Sequence, residues 1–137
     1  VAEWWTPLHL SYRDHDIYTP SAPAGAFPML ERLGMMDLAG SSGMGHNTLE
    51  YLHTFAEITK MAYWDRLAFS TDPDIGKPPY DRLFSPDYWQ ERVGTIDPVA
   101  AKDFDYSGIV SANSENTTHF VVADSDGNIV SADRRDR

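Results

Sequence analysis

Cysteine is absent from the 137 residues. That single absence removes disulfide scaffolds, thiolate zinc sites and cysteine nucleophiles together, while leaving the compartment open, periplasmic or extracellular as readily as cytoplasmic. Positive charge is scarce. Lys and Arg number 11 against 21 Asp and Glu, for a formal net charge of −10 and a pI near 4.7. A chain this acidic is a poor candidate for holding nucleic acid or an anionic membrane through net charge. Long apolar runs are missing too: none approaches the ~20 residues of a membrane helix, and no charged-then-apolar leader opens the sequence. Residue 1 is Val rather than Met, which is expected of a processed start or of a piece of something longer. Hydrophobic residues at 42% and charged residues at 23% are near globular averages. A domain of this size buries roughly 68–70% of the surface its unfolded chain exposes, so one domain with a real core is expected.

The pattern along the chain is mixed. Tyr12, Ile17 and Tyr18 suggest two short strands with a turn at Asp14-His15-Asp16. Thr19 to Pro28 is a Pro/Ala/Gly connector, a short helix is expected over about 29–36, and 39–45 reads as a flexible loop. The strongest helical signal runs over about 48–69. Asn47 is its expected N-cap, with Glu50 in the capping-box position. Tyr51, Leu52, Phe55, Ile58, Ala62 and Phe69 recur at helical spacing, and Glu50, Thr54, Glu57 and Lys60 form only a narrow polar stripe. Met61, Trp64 and Leu67 add apolar bulk elsewhere, so this helix is expected to be covered on several sides, as in a larger layered protein. Ser85-Pro86 starts a further helix to about Val93, closed by Gly94. Residues 97–116 are polar and weakly patterned and read as a linker. A hairpin follows: His119 to Ala123, a turn at Ser125-Asp126-Gly127-Asn128, and a return over Ile129 to Ser131. It is expected to stop before the charged run Asp133 to Arg137.

Most motif-like stretches fail on spacing. The five His (9, 15, 46, 53 and 119) form no i,i+4 pair, so no metal site is expected. Asp124 to Asn128 has Gly at the fourth position instead of the sixth of a calcium loop. Ala39 to Gly43 lacks the strand before and the helix after that a nucleophile elbow needs, and Gly43-Met44-Gly45 lacks a dinucleotide site's third glycine. Asn116-Thr117-Thr118-His119 leaves two readings open. One is a polar strand start. In the other, cleavage before Thr117 frees an α-amine of pKa near ~7.7–8.0, which serves as general base for the hydroxyl of the same residue.

Several segments together resemble the gamma-glutamyltransferase (gamma-glutamyltranspeptidase) family of N-terminal nucleophile hydrolases. Thr117-Thr118-His119-Phe120, followed by Val121 to Ala123 and Asp124-Ser125-Asp126-Gly127-Asn128-Ile129-Val130-Ser131, is similar to the family's TTH, short hydrophobic strand and D-x-D-G-N-x-V-S. Gly45 to His53, with Ala56-Glu57 and Lys60 to Arg66, resembles its GHNSxEYLHxxxEAxKxAxADR helix. Asp72-Pro73-Asp74 is similar to the DPDF that follows. Tyr12-Arg13 to Tyr18-Thr19-Pro20 is similar to the strand leading into its proline-rich turn, although Ser21 to Gly25 lacks the usual Ser-Gly pairs, and Asp133 and Arg135 stand where further Thr residues are usual.

The resemblance implies an α/β (α+β) piece of a four-layer αββα sandwich, helices first and a β-hairpin at the C-terminal end. It implies the C-terminal part of a large subunit over 1–116, with 97–116 as the linker before the cleavage site, and the start of a truncated small subunit over 117–137. It implies self-cleavage between Asn116 and Thr117, Thr117 as catalytic nucleophile, and transfer or hydrolysis of gamma-glutamyl groups through a Thr acyl-enzyme. The donor would be glutathione or a similar molecule, the acceptor an amino acid or water, and the partners the rest of both subunits. No metal or organic cofactor, nucleic acid or membrane segment is implied. The family's substrate-carboxylate arginine lies upstream of this stretch and its oxyanion glycines and serine pair downstream, so these residues are expected to be inactive alone. A non-catalytic remnant of the family, a related amidohydrolase or acylase acting on another amide, and a plain α+β binding domain are the alternatives.

Overall fold

The computed structural model describes residues 4–72, 74–105 and 117–135, the last stretch partly by its backbone alone. Strand β1 (Leu8–Tyr12) pairs antiparallel with β2 (His15–Thr19), in a register that sets Tyr12 opposite His15. The turn is therefore Arg13-Asp14, with φ of 47° and 64°. Two successive left-handed residues are what a tight two-residue hairpin needs to match the strand twist. His15 and Asp16, expected in the turn, belong to β2. There Asp16 accepts hydrogen bonds from His9 Nε2 at 2.7 Å and Ser11 Oγ at 3.0 Å. Those bonds, the one from His9 foremost, hold its carboxyl below the usual range.

Helix α1 (Phe27–Leu38) is longer than its sequence signal. Pro28 opens it, where a missing N–H costs nothing. Residues 41–43, expected to be loop, form a single 3₁₀ turn. Helix α2 (Leu49–Phe69) confirms the strongest periodic segment but not its cap. Asn47 sits at φ 54°, outside the helix, and Thr48 is the N-cap, its hydroxyl accepting from the Tyr51 N–H at 3.2 Å. Glu50 falls one position short of a capping box. The short helix α3 (Tyr80–Leu83) has no counterpart among the expected elements, and α4 (Pro86–Val93) ends at Gly94 as expected.

Helix α1 packs against α2 and α4, and β1 lies on α1. Met35, Met36, Ile58, Ala62 and Trp89 form the centre of the core, with Phe27, Leu30, Met61 and Leu83 also buried. Gly34 permits the α1–α4 approach, because a Cβ there would lie 2.3 Å from the Trp89 ring. Trp89 in turn is held by its indole N–H, which donates to the Leu83 carbonyl at 2.7 Å. Within the described residues α2 buries one face, and Leu49, Leu52, Phe55 and Tyr63 stay exposed. Thr54 and Glu57, expected on the polar stripe, are buried.

The second sheet is the hairpin of β3 (Thr117–Ala123) and β4 (Ile129–Arg135). Contrary to expectation, β4 does not stop at Ser131. Asp133, Arg134 and Arg135 pair with His119, Thr118 and Thr117. Backbone pairing uses main-chain groups alone, so once registered by the turn it continues whatever the side chains that follow. No helix among the described residues is long and apolar enough to cross a membrane.

Candidate functional site

The TTH run opens β3, and the far turn sets its register. Asp124 donates its N–H to the Asn128 carbonyl at 3.1 Å. Its carboxylate accepts from the N–H groups of Asp126 and Asn128, both at 2.9 Å, and from Asn128 Nδ2 at 2.8 Å. These donors, the Asn128 side chain foremost, hold the Asp124 carboxyl below its ordinary range. Gly127 supplies φ 82°, which a larger residue would strain to adopt. The D-x-D-G-N run is thus a turn lock and not a cation loop. Its consequence is felt at the other end of the strands. Side chains alternate faces with period two, so a one-residue slip would exchange the faces of Thr117 and Thr118. With the lock in place, Thr117 stands opposite Arg135 and Thr118 opposite Arg134. Val121, Val122, Ile129 and Val130 are exposed. Of Thr117 the structure describes the backbone, and Asn116 lies outside the described residues.

The helix motif resolves into two sets of contacts. Asp65 is fully buried. Tyr88 Oη donates to its Oδ1 at 2.8 Å and Arg92 Nη2 to its Oδ2. Arg92 also donates to the Met61 carbonyl at 3.1 Å. Burial, followed by the hydrogen bond to Asp65, pushes the Tyr88 hydroxyl well above its ordinary range. Glu31 of α1 is buried beside this group with no hydrogen-bond partner for either carboxylate oxygen. Burial, with the Asp65 charge adding to it, raises its carboxyl to about 9. In the sequence the mark of this burial is an acid, Glu31, between Leu30 and Leu33 in a mostly apolar stretch.

The second set joins α2 to the segment after α4. His53 Nε2 donates to the Asp97 carbonyl at 2.7 Å, Glu57 Oε2 accepts the Lys102 N–H at 3.3 Å, and Lys60 Nζ donates to the Lys102 carbonyl at 2.6 Å. Residues 97 and 102, within the stretch read from the sequence as a linker, are thus bonded to α2. The rest of that stretch, 106–116, lies outside the described residues. No group of three or more His, Asp or Glu that could hold a metal occurs among the described residues.

The gamma-glutamyltranspeptidase family model matches residues 1–133. The chain belongs to the gamma-glutamyltranspeptidase family. It is 31% identical to the glutathione hydrolase proenzyme of Pseudomonas aeruginosa, over 93% of this chain and 23% of that protein. It is 32% identical to the acylase ACY 1 proenzyme of Pseudomonas sp. (strain SE83), over 92% of this chain and 23% of that one. The gamma-glutamyltranspeptidase of Helicobacter pylori superposes with a TM-score of 0.69 at 27% identity, over 82% of this chain and 34% of the solved one. The chain thus spans about a quarter of the length of the curated relatives it matches. Its mixed helix-and-strand architecture is a piece of the N-terminal nucleophile hydrolase fold, as the gamma-glutamyltranspeptidase resemblance implied.

Proposed function

We propose that these residues span the subunit junction of a self-processing gamma-glutamyltranspeptidase-type hydrolase, with 1–116 on the large-subunit side, 117–137 on the small-subunit side and Thr117 as nucleophile. In maturation the Thr117 hydroxyl attacks the Asn116 carbonyl carbon. The acyl group shifts from nitrogen to oxygen, and water hydrolyses the ester. Asn116 leaves with a new carboxylate and Thr117 with a free α-amine. In turnover that amine takes the hydroxyl proton as the oxygen attacks a gamma-glutamyl amide. The proton passes to the leaving amine, and water or an amino acid removes the glutamyl group from the Thr ester. Neither stage draws on a metal or cofactor.

The observation that carries this reading is the Thr117-Thr118-His119 opening of β3, its register fixed by the Asp124 turn, inside a chain that matches the family over residues 1–133. The name of the Pseudomonas aeruginosa relative favours glutathione as donor. The similarity to a protein named as an acylase favours a second reading, in which the same Thr117 chemistry acts on another amide. The discriminating experiment gives the native-length protein a gamma-glutamyl anilide and a non-glutamyl acyl amide in parallel. Release from the anilide, lost to background in Thr117→Ala and retained in part in Thr117→Ser, is expected. Undiminished turnover in Thr117→Ala would overturn the assignment, and release from the acyl amide alone would select the second reading.

A further inference from the structure

His53, Glu57 and Lys60 lie at i, i+4 and i+7 of α2, on one helical face. Each of the three has a hydrogen bond to the backbone of a segment with no regular secondary structure. Glu57 and Lys60 act as a pair: one accepts the N–H of Lys102 and the other donates to its carbonyl. Both backbone groups of a single residue are thus gripped from the helix. The two side chains are also joined to each other, Lys60 Nζ to Glu57 Oε1 at 2.5 Å, with the Glu57 side chain almost fully buried. The Phe104 ring lies 5.8 Å from the Lys60 ammonium and 5.5 Å from that of Lys102, a distance at which cation and ring face attract. The segment itself is braced, the Val99 N–H donating to Asp97 Oδ1 at 2.9 Å. Such a grip is more than packing needs, since an apolar contact would cover the helix face without fixing a register.

We propose that the His53–Glu57–Lys60 face is the anchor that positions the chain for cleavage before Thr117, with Lys60 and Glu57 as positioning residues. The inference rests on the processing reading above. Attack of a hydroxyl on its own preceding carbonyl proceeds only from near-attack geometry, and misplacement by about 1 Å costs on the order of a hundredfold. Roughly 13 residues lead from Phe104 to Thr117, a reach of about 45 Å at most when extended. The grip on Lys102 fixes the point from which this stretch starts. The anchor touches neither substrate nor Thr117, so its effect falls on maturation and not on turnover.

The test follows the cleavage time course of the native-length precursor by intact mass, in wild type, Lys60→Met, Glu57→Gln and Lys60→Arg. In parallel, the two subunits are produced as separate chains, so that turnover is read without any need for cleavage. Cleavage at least tenfold slower in Lys60→Met and Glu57→Gln is expected, with Lys60→Arg restoring most of the rate. Turnover of the separately produced Lys60→Met enzyme is expected within twofold of wild type. Wild-type cleavage rates in both variants would overturn the anchor. So would equal losses in cleavage and in turnover of the separate chains, because the face would then be merely structural. A wild-type precursor that never cleaves before Thr117 would overturn the processing reading itself, and the anchor with it.

Discussion

Tyr88 donates its hydroxyl hydrogen to the buried Asp65 carboxylate at 2.8 Å, tying α4 to α2. Arg92, one turn further along α4, takes the other carboxylate oxygen and the Met61 carbonyl. Two helices that share the core of Met35, Met36, Ile58, Ala62 and Trp89 are thereby tied to each other directly. Asp65→Ala would leave the guanidinium largely buried without its counter-charge. A loss of about 3–5 kcal/mol of stability is expected, read from the midpoint of chemical denaturation. A shift under 1 kcal/mol would mean that water replaces the carboxylate.

Glu31 should make stability depend on pH. Its carboxyl ionises near 4.5 in the unfolded chain and at about 9 in the fold, where burial and the Asp65 charge disfavour the anion. The folded state therefore holds a proton that the unfolded state has lost. The stabilisation is full below about pH 4.5 and fades as pH rises toward 9. Between those limits this group lowers stability with each rise in pH. Glu31→Gln abolishes the ionisation, so its stability relative to wild type should improve steadily from pH 5 to 8. Parallel stability curves over that range would refute the buried proton.

Gly34→Ala should destabilise, even though Ala is the better helix former by about 1 kcal/mol. The added carbon meets the Trp89 ring at 2.3 Å, and that ring is pinned to Leu83. Overpacking of this kind costs about 1–3 kcal/mol, measurable as a lowered thermal midpoint. A raised midpoint would show that Trp89 swings aside freely.

The cap of α2 separates two neighbouring residues. Thr48→Ala removes the acceptor for the Tyr51 N–H and should cost about 1 kcal/mol. Asn47→Gly should cost nothing or stabilise slightly, because φ 54° suits glycine. The reverse order, in the same denaturation assay, would restore Asn47 as the cap.

What the sequence made legible follows the range of the interactions involved. Periodicity placed α2, the Ser85-Pro86 start and Gly94 stop placed α4, and the turn at Ser125 to Asn128 placed the second hairpin, since each signal is local. The end of β4 was hidden because Arg134 and Arg135 look unlike strand residues, while the Asp124 lock ten residues earlier decides their pairing. Thr54 and Glu57 read as surface because nothing nearby in sequence shows that residues 96–102 fold back over them. His53, Glu57 and Lys60 were visible as a motif, but their grip on Asp97 and Lys102 spans more than forty positions. Thr117 was legible only through family resemblance, because two Thr at a strand start are otherwise unremarkable.

Intact mass and N-terminal sequencing of the purified native-length protein decide whether Thr117 becomes a chain start. Two chains are expected, the smaller beginning at Thr117 and the larger ending at Asn116, with Thr117→Ala remaining a single uncut chain. A small chain beginning at Thr118, or normal maturation of Thr117→Ala, would contradict it.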